Sequence, residues 1–337
     1  MAEAVRYRRE RIDRGVKARS DTIYAISSYR EMLYLVLPRV LPIGALLLLP
    51  LVLVGGYWEK VIFYSCVYAL LALSWDFIAS VGLVSLGQAL FFGVGAYVAG
   101  SLNFYLHWPM PLTILFATLG GAIVSTALLA PVVRLRGVYF SMVTLVLPLL
   151  LPHTITVLAI LGGTEGLTSI DTFPSSLLAT YIAVIAVVVC LFGFRRIINE
   201  DYGLVLSGIR DNDRAVMSGG INIYWYKVQA IFIASVVGCF AGALMTHYYQ
   251  FVGPSAFALD YTILPLAGAV LGGPGSFAGA TIGTFILVPL SEALRAFGGL
   301  RIALYGIILI VCLVALPEGI FHYIERRYHQ FDRYVKV

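Results

Sequence analysis

Few residues in this sequence of 337 are placed to do chemistry. It has no Gly-rich phosphate loop carrying a Lys and no His-Glu-x-x-His zinc motif, and its five histidines (His107, His153, His247, His322, His329) stand far apart. Cys66, Cys190, Cys239 and Cys312 fall inside apolar stretches without the close spacing of a zinc or redox site, so they read as small core residues. Asp76 and His153 are ionisable residues within apolar runs. Asp76 is either an interhelical hydrogen-bonding residue or part of a polar path. His153, beside Pro148 and Pro152, is either a proton carrier or a ring that answers a carbonyl freed by a kinked helix. An integral membrane enzyme would need a polar cluster near the interface, and the sequence has none.

The elements that must position these residues are apolar. Hydrophobic residues make up 60% of the chain and charged ones 12%, against roughly 25% charged in a soluble domain. An ordinary water-soluble enzyme is thereby excluded. Apolar runs occur at about 40–57, 61–79, 83–105, 111–133, 138–161, 177–194, 228–249, 262–272, 277–291 and 302–316. A span needs about 20 apolar residues. The expected fold is therefore an all-α polytopic membrane protein of about ten transmembrane helices, some broken or re-entrant.

The net charge of +5 is distributed unevenly. Residues 1–39 hold nine Lys/Arg, the Arg134/Arg136 loop two, 195–227 five and the tail after Pro317 four, which leaves Lys60, Arg295 and Arg301 elsewhere. This skew is the positive-inside pattern and puts both termini in the cytoplasm, with an even number of spans. Three regions follow: a basic cytoplasmic N-terminal segment 1–39, a transmembrane domain 40–316 that includes the cytoplasmic loop 195–227, and a cytoplasmic tail 317–337. The first 30 residues lack the continuous apolar core of a cleaved signal peptide, and Ile23 to Val36 loosely keep one helical face, as an interfacial helix does. Tracked from a cytoplasmic start, Glu165 and Asp171 fall on an external loop, where they would either meet a partner or be solvated.

Two interrupted segments stand out. Run 262–272 is too short to span and meets the turn Gly272-Gly273-Pro274-Gly275, and Gly82 to Gln88 is glycine-broken ahead of Phe91. Broken helices at membrane depth line a cavity or are buried in protein. The glycines that follow (Gly93, Gly95, Gly100, Gly279, Gly283) also suit close helix packing. The most polar stretch, 195–227, has a core from Gly208 to Asn222 in which Asn212 or Asp213 can cap a short helix that Gly219-Gly220 stops. Such a helix is either a docking element or an amphipathic stretch lying on the membrane.

This core resembles the cytoplasmic coupling loop of ABC-transporter permeases, in the form R-x-x-D-R-A…G-I-N of the LivM branch of the branched-chain amino-acid permeases. Ser85-Leu86-Gly87-Gln88-Ala89-Leu90-Phe91-Phe92-Gly93-Val94-Gly95-Ala96-Tyr97 is similar to that family's S-L-G-(H/Q)-A-x-F-F-G-x-G-A-Y signature. Leu135 to Phe140, Gly162 to Leu167, Leu271 to Ser276 and Pro317-Glu318-Gly319 also have counterparts, in order, over about residues 40–320. One departure stands out: where the family carries an acidic and a basic residue after its V-T-L stretch, Val143-Thr144-Leu145 leads here into an apolar run with two prolines.

The resemblance implies a permease subunit of a binding-protein-dependent ABC importer in a bacterial or archaeal cytoplasmic (inner) membrane. It would carry branched-chain or other hydrophobic amino acids and have no ATPase site of its own. Partners would be a LivH-like second permease in a heterodimer, two cytoplasmic ATPase subunits that bind the ATP and Mg, an external substrate-binding protein and membrane lipid. No nucleic acid, metal or cofactor in this chain is expected. Arg210, Asp211, Asp213, Arg214, Ala215, Gly219 and Gly220 are the candidates for ATPase docking. Ser85, Gln88, Phe91, Phe92, Tyr139 and Thr144 are the candidates for the substrate path. The alternatives are an importer of this type for urea or short amides and, from another class, a carrier driven by an ion gradient. The latter would need paired intramembrane charges, for which Asp76 alone is a candidate.

Overall fold

The computed structural model describes residues 7–11, 44, 46–48, 50, 56–135, 137–298, 300, 306–307, 310–311, 314, 319–323 and 332–336. Their helices are α1 (Gly56–Ala79), α2 (Gln88–Leu106), α3 (Met110–Leu129), α4 (Val138–Leu158), α5 (Ser176–Asn199), α6 (Asp201–Ser218), α7 (Ile223–Tyr249), α8 (Asp260–Gly272) and α9 (Phe277–Ala293). Short 3-10 turns cover Val132–Arg134, Pro254–Phe257 and Leu294–Phe297.

Seven segments among the described residues are long and apolar enough to cross a membrane: α1 to α5, α7, and Pro254–Gly272, which ends in α8. Eight of the ten apolar runs thus coincide with helices, α9 being the eighth and shorter at 17 residues. Runs 40–57 and 302–316 lie largely outside the described residues, as do the interfacial helix expected over 23–36 and Arg136. In a bilayer a helix satisfies its own backbone polar groups, which is why apolar composition suffices to specify these elements.

Local chemistry sets where the helices begin. Ser175 Oγ accepts from Leu178 N at 3.2 Å, Asn222 Oδ1 from Tyr224 N at 3.2 Å, and Ser276 Oγ from Gly279 N at 3.2 Å. Each occupies an amide that the first helical turn cannot pair internally. Pro109 and Pro111 open α3, where an absent amide hydrogen costs nothing.

α1 is the most buried span and the centre of the bundle, packed by α5, α7, α8 and α9; α4 is the least buried. α2 and α7 pack so closely that a side chain at Gly95 would strike the Cys239 backbone and one at Gly242 the Phe92 carbonyl. These glycines therefore serve helix packing, as small residues do in membranes. α8 and α9 form a tight hairpin in the same way, Gly283 lying against Gly268.

Two features extend beyond the expected spans. The polar stretch 195–227 is mostly regular helix: α5 runs on to Asn199, α6 starts at Asp201 and α7 starts at Ile223. The described residues also include two strands, β1 (Tyr7–Arg11) and β2 (Asp332–Lys336), paired antiparallel with Tyr7 opposite Lys336 and Arg11 opposite Asp332. The membrane-capable segments are all helical, as expected, and the strands lie outside them. A pairing between the two ends of a chain has no local periodicity by which a sequence could announce it.

Candidate functional site

Few backbone hydrogen bonds hold the glycine-broken segment between α1 and α2, beyond Gly82 N to the Ala79 carbonyl and Leu90 N to the Gly87 carbonyl, and neighbouring helices supply others. Leu86 N donates to Thr144 Oγ1 at 3.0 Å, Ser141 Oγ to the Val84 carbonyl at 2.6 Å, Trp75 Nε1 to the Ser85 carbonyl at 2.8 Å, and Ala89 N to Thr262 Oγ1 at 3.0 Å. Gly87 N turns back onto Ser85 Oγ at 3.2 Å. A Cβ at Gly87 would lie 2.8 Å from the Thr144 carbonyl, so only glycine lets the segment approach α4 this closely. The loop is thus clasped to α1 and α4, and the first turn of α2 that follows it to α8.

Deeper in the core, Ser74 Oγ lies 3.1 Å from Gln88 Oε1 and 2.9 Å from the Ala234 carbonyl, which ties α1, α2 and α7 together. Phe92 stacks on Tyr261 with ring centroids 3.8 Å apart, and Phe91 packs against Gly238. Asp76 is fully buried. Its Oδ1 accepts from Gly275 N at 2.7 Å across the break between α8 and α9, and its Oδ2 has no hydrogen-bond partner. Gly319, at φ 85°, lies against Gly273 at the same break.

α6 carries the docking candidates. Asn212 has φ −158° and ψ 95°, which interrupts the helix, and its Oδ1 accepts from Ala215 N at 3.2 Å. It therefore caps the short helix expected from the sequence, and that helix stops at Gly219 and Gly220, the latter at φ 81°. Arg210, Asp211, Arg214, Ala215, Gly219 and Gly220 are exposed, and Asp213 is half-buried. The Arg210 Nε to Asp211 Oδ1 pair at 3.3 Å is open to solvent and adds little stability. Tyr202, at the start of α6, lies 5.5 Å from the Tyr226 ring; burial, with a smaller contribution from Tyr226, pushes its phenol up to about 12. Arg134 lies over the Tyr224 ring at 5.4 Å, so basic residues of two loops gather at this end of the bundle.

At the opposite end the sequence reading missed a cluster. Asn103 Nδ2 donates to Asp171 Oδ2 at 2.8 Å and to the Trp108 carbonyl at 2.8 Å, and Asp171 N donates back to Asn103 Oδ1 at 2.9 Å. His247 is fully buried, with Nδ1 2.7 Å from the Asp171 carbonyl and Nε2 2.7 Å from Thr113 Oγ1. Asp171 is thus fastened to the bundle, whereas Glu165 is exposed on the glycine turn of 162–166. Little local to His247 or Asn103 marks them, because the partners that tie them into the cluster, Asp171 and Thr113, are distant in sequence.

The path candidates divide. Ser85, Gln88, Phe91, Phe92 and Thr144 are buried and converge on the clasped loop. Tyr139 stands apart on the outer face of α4, 73% exposed, and His153 is exposed on the same helix. Phe92 also borders a cavity of about 210 Å³ between α1, α2, α7 and α8, lined by Tyr64, Tyr249, Phe251 and Tyr261 among others. No charged side chain lines that cavity.

The family model described as "Branched-chain amino acid transport system / permease component" matches residues 57–317. The chain is 27% identical over 296 residues to the "High-affinity branched-chain amino acid transport system permease protein LivM" of Escherichia coli, covering 76% of this chain and 68% of that one. The LivM of Salmonella typhimurium is likewise 27% identical over 292 residues, with the same coverage. A protein of Methanocaldococcus jannaschii named as a LivM branched-chain permease is 27% identical over 233 residues, or 62% of this chain and 67% of its own. A solved ABC transporter of metal-chelate type, in an inward-facing conformation, superposes with a TM-score of 0.47 at 16% identity, covering 86% of this chain and 99% of that one.

Proposed function

Because this chain belongs to the branched-chain amino acid transport system permease family, we propose that it is the LivM-type half of a two-permease import channel, carrying branched-chain or other hydrophobic amino acids inward on energy from separate ATPase subunits. The chain is a multi-pass membrane protein. The proposal places it in the cytoplasmic membrane, with the α6 end of the bundle facing the cytoplasm.

The observation that carries the reading is the Asn212-capped end of α6, held outside the bundle with Arg214 and Ala215 exposed. A short rigid helix set between two fixed ends transmits force better than a flexible loop. Seated in an ATPase groove, it would turn nucleotide-driven closure into rigid-body movement of the spans. In this reading Arg210, Asp211, Asp213, Arg214, Ala215, Gly219 and Gly220 form the docking face.

For the path, Tyr139 on the open face of α4 would meet cargo at the junction with a LivH-like partner. Phe92 would act from the cavity side. Ser85, Gln88, Phe91 and Thr144 would hold the clasped loop in place behind that wall. A binding protein would deliver cargo at the end of the bundle where Glu165 is exposed. The test is purification of the tagged chain from its native membrane in mild detergent. Two ATPase subunits and a second permease should come with it; recovery of the chain alone, with transport intact, would contradict the reading.

A further inference from the structure

Gly82 is the point at which α6 meets the clasped loop. Its φ is +78°, and a Cβ there would lie 3.0 Å from the Arg210 Cα and 3.3 to 3.4 Å from the Arg210 side chain. The loop therefore sits directly on the α6 backbone. Two bonds to α4 follow within five residues: Ser141 Oγ to the Val84 carbonyl and Leu86 N to Thr144 Oγ1.

From this contact we infer that Gly82, Ser141 and Thr144 are positioning residues that make loop 81–87 a rigid transmission arm, carrying displacement of α6 to α4. The inference rests on the reading of α6 as the ATPase-docking element. Three physical points support it. The loop has few ways to yield, because the Val84 and Ser85 carbonyls and the Leu86 amide are held by α4 and α1 and the Gly87 amide by Ser85 Oγ, and breaking these bonds leaves polar groups unpaired. α4 is the span with the least of its surface packed in this chain, so it can move at the least cost to the rest of the bundle. The contact at Arg210 also precedes the break at Asn212, so the arm meets the α6 segment that continues toward the bundle. Packed elements with fixed contacts pass small displacements on without absorbing them.

The test uses the complete transporter, with its second permease, ATPases and binding protein, reconstituted in vesicles and supplied with leucine and ATP. Uptake per ATP hydrolysed is the readout, since a merely structural role would change the amount of assembled complex and leave that ratio alone. Thr144→Val, which keeps the shape and removes the acceptor for Leu86 N, should lower the ratio about tenfold while hydrolysis continues. Thr144→Ser should restore it. Gly82→Ala should act as Thr144→Val does. An unchanged ratio in both Thr144→Val and Gly82→Ala would overturn the inference, as would an equal fall in Thr144→Val and Thr144→Ser.

A wild-type assembly with no ATP-dependent uptake would remove the functional reading on which the inference rests, whatever the variants do.

Discussion

The amide of Gly275 donates a 2.7 Å hydrogen bond to Oδ1 of Asp76, joining residues 199 positions apart and pinning the break between α8 and α9 to the central helix. Asp76 is fully buried, and its second oxygen is unpaired. Only one acceptor atom is in use, so the carboxyl charge itself is dispensable. Asp76→Asn should keep the bond and leave the melting temperature of the purified complex within error of wild type. Asp76→Ala leaves Gly275 N unpaired and should cost about 1–3 kcal/mol, read as earlier melting. Equal loss in both variants would mean that the charge matters for itself.

The outer cluster makes a separate prediction. Asn103 makes three hydrogen bonds that fasten Asp171 and the Trp108 carbonyl. Asn103→Leu should release the segment around Asp171 and raise amide hydrogen exchange over residues 162–172 at least about tenfold, since local opening is governed by such tethers. Exchange in α1 should not change.

Tyr202 supplies a pH dependence. Its phenol titrates at about 12 in the folded protein against an ordinary 10.0, with burial the main cause. The raised value means that folding favours the neutral phenol. That contribution is fully present below pH 10 and is lost as the pH rises through 12. The junction of α6 with α7 should therefore loosen over this interval, seen as increased proteolysis near residue 200. Tyr202→Phe, which removes no hydrogen bond because the hydroxyl has none, should abolish that pH dependence.

On the proposed docking face, Arg214 is exposed. Arg214→Glu should leave membrane content and melting temperature unchanged and reduce ATP-driven uptake more than about tenfold, the effect of placing a like or opposite charge wrongly across an interface. Uptake preserved in this variant would remove Arg214 from the face.

What could be read from the sequence depended on the range of the interaction. The spans were legible because an apolar run of sufficient length settles its own backbone bonding, and the Asn212 cap was legible because Asn and Gly-Gly act within a few residues of their own position. The burial of Gln88 and Phe92 beside an exposed Tyr139 was not legible, since residue type alone does not say which way a helix turns in a bundle. Asp76 was recognised as anomalous, yet its partner is a backbone amide, which carries no residue-type signal. His247 and Asn103 were passed over for the same reason: their meaning comes from Asp171, on a loop far along the chain. The β1–β2 pairing is the extreme case, a contact between the chain ends.

The most direct measurement is leucine uptake into vesicles that contain this chain together with its second permease, its ATPases and the external binding protein. Uptake is compared with ATP enclosed with the ATPase sites, with an ATPase-inactive partner, and with an imposed proton or sodium gradient alone. An ABC permease predicts uptake that requires ATP and the binding protein and vanishes with the inactive partner. Uptake driven by an ion gradient through this chain by itself would contradict it.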